Sequence, residues 1–324
     1  MKALKYEDVC LLPNYSEVYS RVDCSTETTL CDKKFKLPII PANMKSVIDM
    51  HLARWMSEND YFYIMHRFEN SLHEVVSQMN DENWNTISAS MGVQIKDKKD
   101  VVAISKQKQR VDFITIDIAH GHCERMKIAI ECIKKFLPNT KIIAGNVATD
   151  QAVRDLSDWG ADVVKVGIGQ GSPCTTKDKT GFTMPMFSCT QKCSGLYSGD
   201  FVEGSEKKIP IIADGGIKCN GDIAKAIVAG ANMVMAGGLF AACTDSPALP
   251  STINNVSHKA YFGSASAENK GHNNNVEGKL TNISCNNMTY EQKLNEITQD
   301  LQSSVSYAGG NNLESLQNVD YNLV

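Results

Sequence analysis

Apolar runs of four to eight residues recur along this chain, with amphipathic stretches between most of them. A short, continuous run rich in β-branched residues reads as a strand buried on both faces. Eight strands are predicted, at Leu37–Asn43, Tyr61–His66, Thr86–Val93, Asp112–Ala119, Lys141–Val147, Val163–Ile168, Ile209–Asp214 and Met233–Ala236. Helices are predicted between them at His51–Asn59, Leu72–Asn80, Lys99–Gln109, Glu124–Leu137, Asp150–Trp159 and Asp222–Ala229. In Glu124–Leu137 the apolar Met126, Ile130, Ile133 and Leu137 share one face. Asp150 and Asp222 open their helices, where an acid favours the dipole. Strands alternating with helices make a parallel sheet, and eight is the number that closes a (β/α)8 TIM barrel. The alternative is an open, doubly wound sheet. Asn43, His66, Asp117, Asn146, Gly169, Asp214 and Gly237 gather at strand ends, however, and a rim fed by almost every strand is how a barrel builds its site. The expected fold is α/β, one TIM-barrel domain spanning 1–324.

Three segments stand outside the repeat. Residues 1–36 form an N-terminal arm. Residues 170–208 are too long for a plain βα connection and predict an active-site lid after the sixth strand. Residues 244–287 are Ser/Asn-rich with little periodicity, and Tyr290–Val305 follows as a closing helix with Leu294, Ile297, Leu301 and Val305 on one face. Ala226–Cys243 is almost wholly apolar, but Asn232, Gly230, Gly237 and Gly238 interrupt it, so a helix end, a turn and a strand explain it better than a membrane span.

Composition adds limits. With 324 residues, 42% hydrophobic, 22% charged and a formal net charge of −4, the chain resembles an ordinary soluble protein with no electrostatic footprint for nucleic acid. Any phosphate must be held by local geometry. Eleven cysteines include no CxxC pair, and Met1–Asp8 lacks an apolar signal core, so a reducing, cytoplasmic setting is expected.

The candidate chemistry begins at Val166-Gly167-Ile168-Gly169-Gln170-Gly171-Ser172-Pro173-Cys174-Thr175-Thr176-Lys177. Glycines at 169 and 171 let backbone approach a ligand closely. A thiol just beyond such a loop, flanked by hydroxyls and a lysine, has the means to become a nucleophilic thiolate. A packed core cysteine after a turn is the competing reading.

Together these segments resemble the IMP dehydrogenase/GMP reductase family, almost end to end. Tyr6-Glu7-Asp8-Val9, Pro41-Ala42-Asn43-Met44, Asp117-Ile118-Ala119-His120-Gly121, Ala144-Gly145-Asn146-Val147, the Gly-Ile-Gly-x-Gly-Ser-x-Cys-Thr-Thr loop and Ala213-Asp214-Gly215-Gly216 carry the resemblance in order. Only about twenty residues separate His66 from the third strand, a normal connection without the regulatory insertion usual in the dehydrogenases. Lys177-Asp178-Lys179-Thr180-Gly181, Val276-Glu277-Gly278-Lys279 and Tyr307-Ala308-Gly309-Gly310 look like the compact bacterial-type reductases, and no Arg-Tyr pair occurs.

That resemblance implies NADPH-dependent reductive deamination of GMP to IMP, with Cys174 as nucleophile at purine C2 and Thr176 with Glu277 handling protons. For the nucleotide it implies Asp214 at the ribose, and Gly215, Gly216, Gly237, Gly238, Gly263, Ser264 and Gly278. For NADPH it implies Asp117, Ile118, Ala119, Ile168, Gly169 and Arg67, with Ser20, Arg21, Ser303 and Ser306. Ser20 and Arg21 would come from a neighbouring subunit, hence a homo-oligomer, a tetramer in the family. Gly169, Gly171, Cys174 and Lys177 would surround K⁺. Gln170 stands where relatives have proline and should loosen the loop, Pro173 restricts Ser172, and Ala265 and Asn273–Asn275 also depart from the pattern. Rival readings are a dehydrogenase lacking the insertion, a purine-nucleotide sensor without turnover, and a flavin-dependent barrel.

Overall fold

The computed structural model describes residues 2–195, 209–271 and 274–324. Seven parallel strands form one sheet: Ile39–Pro41, Ser88–Met91, Phe113–Asp117, Lys141–Val147, Val163–Val166, Ile211–Asp214 and Met233–Ala236. The last strand pairs with the first, Val234 against Ile39 and Ala236 against Pro41. Pairing of first with last strand is ring closure, which an open sheet lacks. Between Ile39–Pro41 and Ser88–Met91 lie residues 62–65, fully buried, where Met65 bridges Ala89 in parallel. The predicted strand Tyr61–His66 is therefore present as a single bridge rather than a full ladder. Ser88–Met91 and Val163–Val166 are buried at every position, as a wall packed on both faces requires.

Helices cover the outside. Asp150–Trp159 has the predicted limits: Thr149 accepts from Ala152 N at its start, and Gly160 at φ 108° ends it. Ile95–Lys106 begins a turn earlier than predicted, because its start is fixed by Asp97 accepting from Gln94 N while Ile95 faces solvent. At the barrel's lower end the hairpin Thr28–Leu30/Lys33–Phe35 inserts Phe35 against Phe62, centroids 4.9 Å apart, and Phe62 packs on Phe113 at 5.0 Å. That plug leaves only the opposite rim open. The arm also pairs Val9–Leu11 with Tyr321–Leu323 near the C-terminus, and the closing helix runs Tyr290–Tyr307.

Two expectations need correction. Part of the predicted lid is barrel wall: Thr176–Thr180 and Met186–Cys193 are helices, and the second packs on Asp150–Trp159, Gly221–Val228 and the neighbouring strands, while the first is a short, mostly exposed turn at the rim. Cys189 and Cys193 are buried there, not displayed on a lid. The rest of that segment, 196–208, lies outside the described residues. Residues 244–287 are also not irregular. They hold the antiparallel sheet Pro250–Ile253, Val256–Phe262 and Leu280–Ser284. Its alternation is hidden because Lys259 takes an inward position, with Nζ donating to the carbonyls of Thr244, Ser246 and Ala248. Asn254 and Asn255, both at positive φ, form the hairpin turn and were the available signal. Among the described residues no helix is long and apolar enough to cross a membrane.

Candidate active site

A cavity of about 400 Å³ opens at the rim where the strands end. Of the predicted rim residues, Asn43, Asp117, Asn146, Gly169, Asp214 and Gly237 line it. His66 does not: it is buried to one side, its Nδ1 accepting from Phe68 N, and burial holds its pKa below the usual histidine value.

On one wall the loop after Val163–Val166 is stitched to the segment around Glu277. Thr175 N donates to Glu277 O, Lys279 N to Pro173 O, and Cys174 bridges Gly278 antiparallel. This stitching brings together side chains a hundred residues apart in sequence. The Cys174 thiol donates to Thr176 Oγ1 at 3.2 Å, and Thr176 Oγ1 donates to Glu277 Oε2 at 2.6 Å. Thr176 is buried while Cys174 and Glu277 are half-exposed toward the cavity. A thiol, a hydroxyl and a carboxylate in series form a path along which protons can move. Gln170 does not leave the loop loose as expected: its Nε2 donates to Thr183 Oγ1 at 2.6 Å, and Thr183 Oγ1 donates to Ile168 O at 3.0 Å. The side chain braces the turn that a proline would have stiffened. Lys177 is exposed and lines a neighbouring cleft with Lys5 and Lys218 instead of this cavity.

Glycine-rich backbone frames much of the rest of the cavity. Gly215, Gly216, Gly237, Gly238, Gly263, Ser264 and Gly278 all line the cavity. A Cβ on Gly237 would sit 2.1 Å from the Tyr261 hydroxyl, whereas Gly238 faces open space. Glycine backbone at the ends of the last two strands lets an anion approach the main-chain amides there.

Beneath the cavity lies a group absent from the predicted site. Lys165, 2% exposed, places Nζ 2.9 Å from Asp117 Oδ1 and 2.6 Å from Asp214 Oδ2. Asn146 Nδ2 also donates to Asp214 Oδ2, at 2.9 Å. Burial alone would raise the Asp117 pKa, but Lys165 and then Arg67 outweigh it and hold the carboxyl below its ordinary range. The apolar run around Lys165 conceals it, although a lone charge in a strand buried on both faces must have a partner and was itself a signal.

Arg67, Asp117, Ile118, Ala119, Ile168 and Gly169 share the cavity. Arg67 Nε is buried with no hydrogen-bond partner among the described residues, as is Asn43 Nδ2. Ser20, Arg21, Ser303 and Ser306 are not brought to the cavity. Arg21 lies on the closing helix, donating to Ser303 Oγ at 3.3 Å and Tyr307 Oη at 2.9 Å. Of the carbonyls expected around a cation, Gly171 O already accepts from Cys174 N and Lys177 O from Gly181 N.

Comparison with known proteins agrees with this architecture. Residues 3–323 match the IMP dehydrogenase / GMP reductase domain. A GMP reductase of Staphylococcus carnosus (strain TM300) is 46% identical over 329 residues, covering 100% of this chain and 97% of that protein. GMP reductases of Helicobacter pylori (strain G27) and Staphylococcus aureus (strain N315) are 45% and 44% identical, with the same coverage. The chain belongs to the IMP dehydrogenase/GMP reductase family.

Proposed function

We propose that this chain reduces GMP to IMP, with the balance GMP + NADPH + 2 H⁺ → IMP + NH₄⁺ + NADP⁺, acting as a single catalytic barrel domain. The observation that carries the reading is the Cys174–Thr176–Glu277 relay in a cavity shared with the glycine pairs 215–216 and 237–238.

The nucleotide phosphate sits against Gly215, Gly216, Gly237 and Gly238, with Gly263, Ser264 and Gly278 closing over it. Asp214 accepts from the ribose hydroxyls. The thiol gives its proton into the relay, and the sulfur of Cys174 adds to purine C2 as the C2=N3 π pair moves onto N3, which takes a proton and returns the pair to C2 when the amine leaves. Thr176, backed by Glu277, then donates a proton to the 2-amino nitrogen. The C2–N bond breaks, ammonia leaves, and Cys174 stays joined to C2 as a thioimidate. Proton donation of this kind contributes about 10²–10⁴ in rate, and the covalent bond splits one hard displacement into two easier steps. NADPH, when bound, supplies hydride to C2. Cys174 then departs as the leaving group and IMP is free.

Cavity-lining Asp117, Ile118, Ala119, Ile168 and Gly169, with the unpartnered Nε of Arg67, fit the nicotinamide half of that cofactor. Ser20, Arg21, Ser303 and Ser306 lie apart beside exposed Tyr15, Tyr19 and Val22. We therefore place them at the far end of a cofactor bound to a neighbouring copy, in a homotetramer, where Arg21 meets the 2′-phosphate of NADPH. A K⁺ ion would order the loop through the carbonyls of Gly169, Gly171, Cys174 and Lys177. Eleven free cysteines suit a reducing cytosol.

The test is NADPH absorbance on adding GMP with K⁺ present, beside an IMP plus NAD⁺ control. GMP-dependent loss of NADPH with one ammonia per turnover supports the reductase. NADH formation from IMP would make the chain a dehydrogenase, and silence in both assays with GMP bound would make it a sensor.

A further inference from the structure

The buried trio Lys165, Asp117 and Asp214 takes no part in the relay, yet its two carboxylates belong to different halves of the cavity. Asp214 adjoins the Gly215-Gly216 cradle, and Asp117 adjoins Ile118 and Ala119. The backbone is shaped to admit the lysine. A Cβ on Gly145 would fall 2.7 Å from Lys165 Cβ and 2.5 Å from its carbonyl oxygen, so glycine is required there. The next residue, Asn146, spends its Nδ2 on Asp214 Oδ2 at 2.9 Å and on Gly167 O at 2.7 Å. The Ala144–Val147 segment thus forms the socket of this cluster. Two carboxylates sharing one buried ammonium stay ionised only while it is present, since like charges this close otherwise hold a proton between them.

We propose that Lys165 is a positioning residue that holds the substrate and cofactor halves of the site in register, by engaging Oδ2 of Asp214 and Oδ1 of Asp117 and so fixing the orientation of both carboxylates. The assignment rests on the GMP reductase reading for the identity of the two ligands. Other groups face the trio. Arg67 lies near Asp117, and the phenols of Tyr6 and Tyr261 lie near Asp214, both pushed up first by burial and therefore uncharged.

The experiment is isothermal calorimetry of GMP and of NADPH, each titrated separately into wild type, Lys165→Met, Asp214→Asn and Asp117→Asn. Asp214→Asn weakens GMP alone and Asp117→Asn weakens NADPH alone. Lys165→Met weakens both, each by roughly tenfold to a hundredfold. In Lys165→Met the two carboxylates repel with no cation between them and one takes up a proton, so GMP affinity recovers as the pH is raised, relative to wild type over the same range. A merely structural role gives no such recovery. Loss of one ligand only, or a loss independent of pH, overturns the proposal. If Lys165→Met does not fold, Lys165→Met/Asp117→Asn removes one carboxylate with the cation. GMP affinity within about tenfold of wild type, with NADPH affinity lost, then supports the assignment, and equal loss of both overturns it. Wild-type turnover is assayed separately, so failure of the reductase reading shows there and not in these binding constants.

Discussion

Two polar clusters share one cavity and are built in opposite ways. Cys174 and Glu277 sit on loops at the rim and Thr176 opens a short helix there, the three joined by two hydrogen bonds along which a proton can move. Lys165, Asp117 and Asp214 sit at strand level, and the lysine ammonium is sealed from water between two carboxylates. Loops can bring together residues from distant parts of the chain in a geometry that adjusts during reaction. Strand ends in a closed barrel cannot shift without breaking the wall, so they suit charges that must stay in place. The molecule places reactive groups on the adjustable layer and fixed electrostatics on the rigid one.

Substitutions in the two layers should therefore fail differently. Cys174→Ala has the largest expected effect. Turnover falls by on the order of 10⁴ or more, while the GMP dissociation constant by calorimetry changes less than about threefold. Next is Glu277→Gln, which lowers kcat by roughly 10²–10⁴. It slows ammonia release more than hydride transfer, so the isotope effect with 4-deuterated NADPH shrinks toward unity. Equal slowing of both steps would remove Glu277 from its assigned role. In the anion cradle, Gly237→Ala puts a methyl where the Tyr261 hydroxyl now lies. It should raise KM for GMP by about tenfold, with a smaller change in kcat, because the cradle binds ground and transition states alike. Smallest is Thr149→Ala, which removes the cap of Asp150–Trp159, a side chain that belongs to neither cluster and does not line the cavity. It should cost about 1 kcal/mol of stability by thermal melt and leave kinetics unchanged.

The same contrast governs what the sequence made legible. Seven strands are readable as apolar runs because both faces of each are largely buried, and the helix Asp150–Trp159 is readable from the acid that opens it, while its Thr149 cap and terminal Gly160 come from the structure. Cys174, Thr176 and Glu277 were legible as motif members, but nothing local announces that 173–175 and 277–279 lie side by side. Lys165 was missed because an apolar run was read for its majority and not for its exception. Lys259 hid a strand for the same reason, since a lysine satisfied by three carbonyls can occupy an inward position. Arg21 and Ser303 share one cluster, yet the fold of one chain keeps them from the cavity.

The central claim is that Cys174 bonds to C2 and ammonia leaves before hydride arrives. Its most direct test is nitrogen exchange: the enzyme is incubated with GMP, NADP⁺ and ¹⁵N-ammonia, without reductant, and the recovered GMP is analysed by mass spectrometry. Because addition and deamination are reversible steps ahead of hydride transfer, ¹⁵N should enter the 2-amino group with wild type and not with Cys174→Ala. Absence of exchange in an enzyme that oxidises NADPH with GMP would contradict the account.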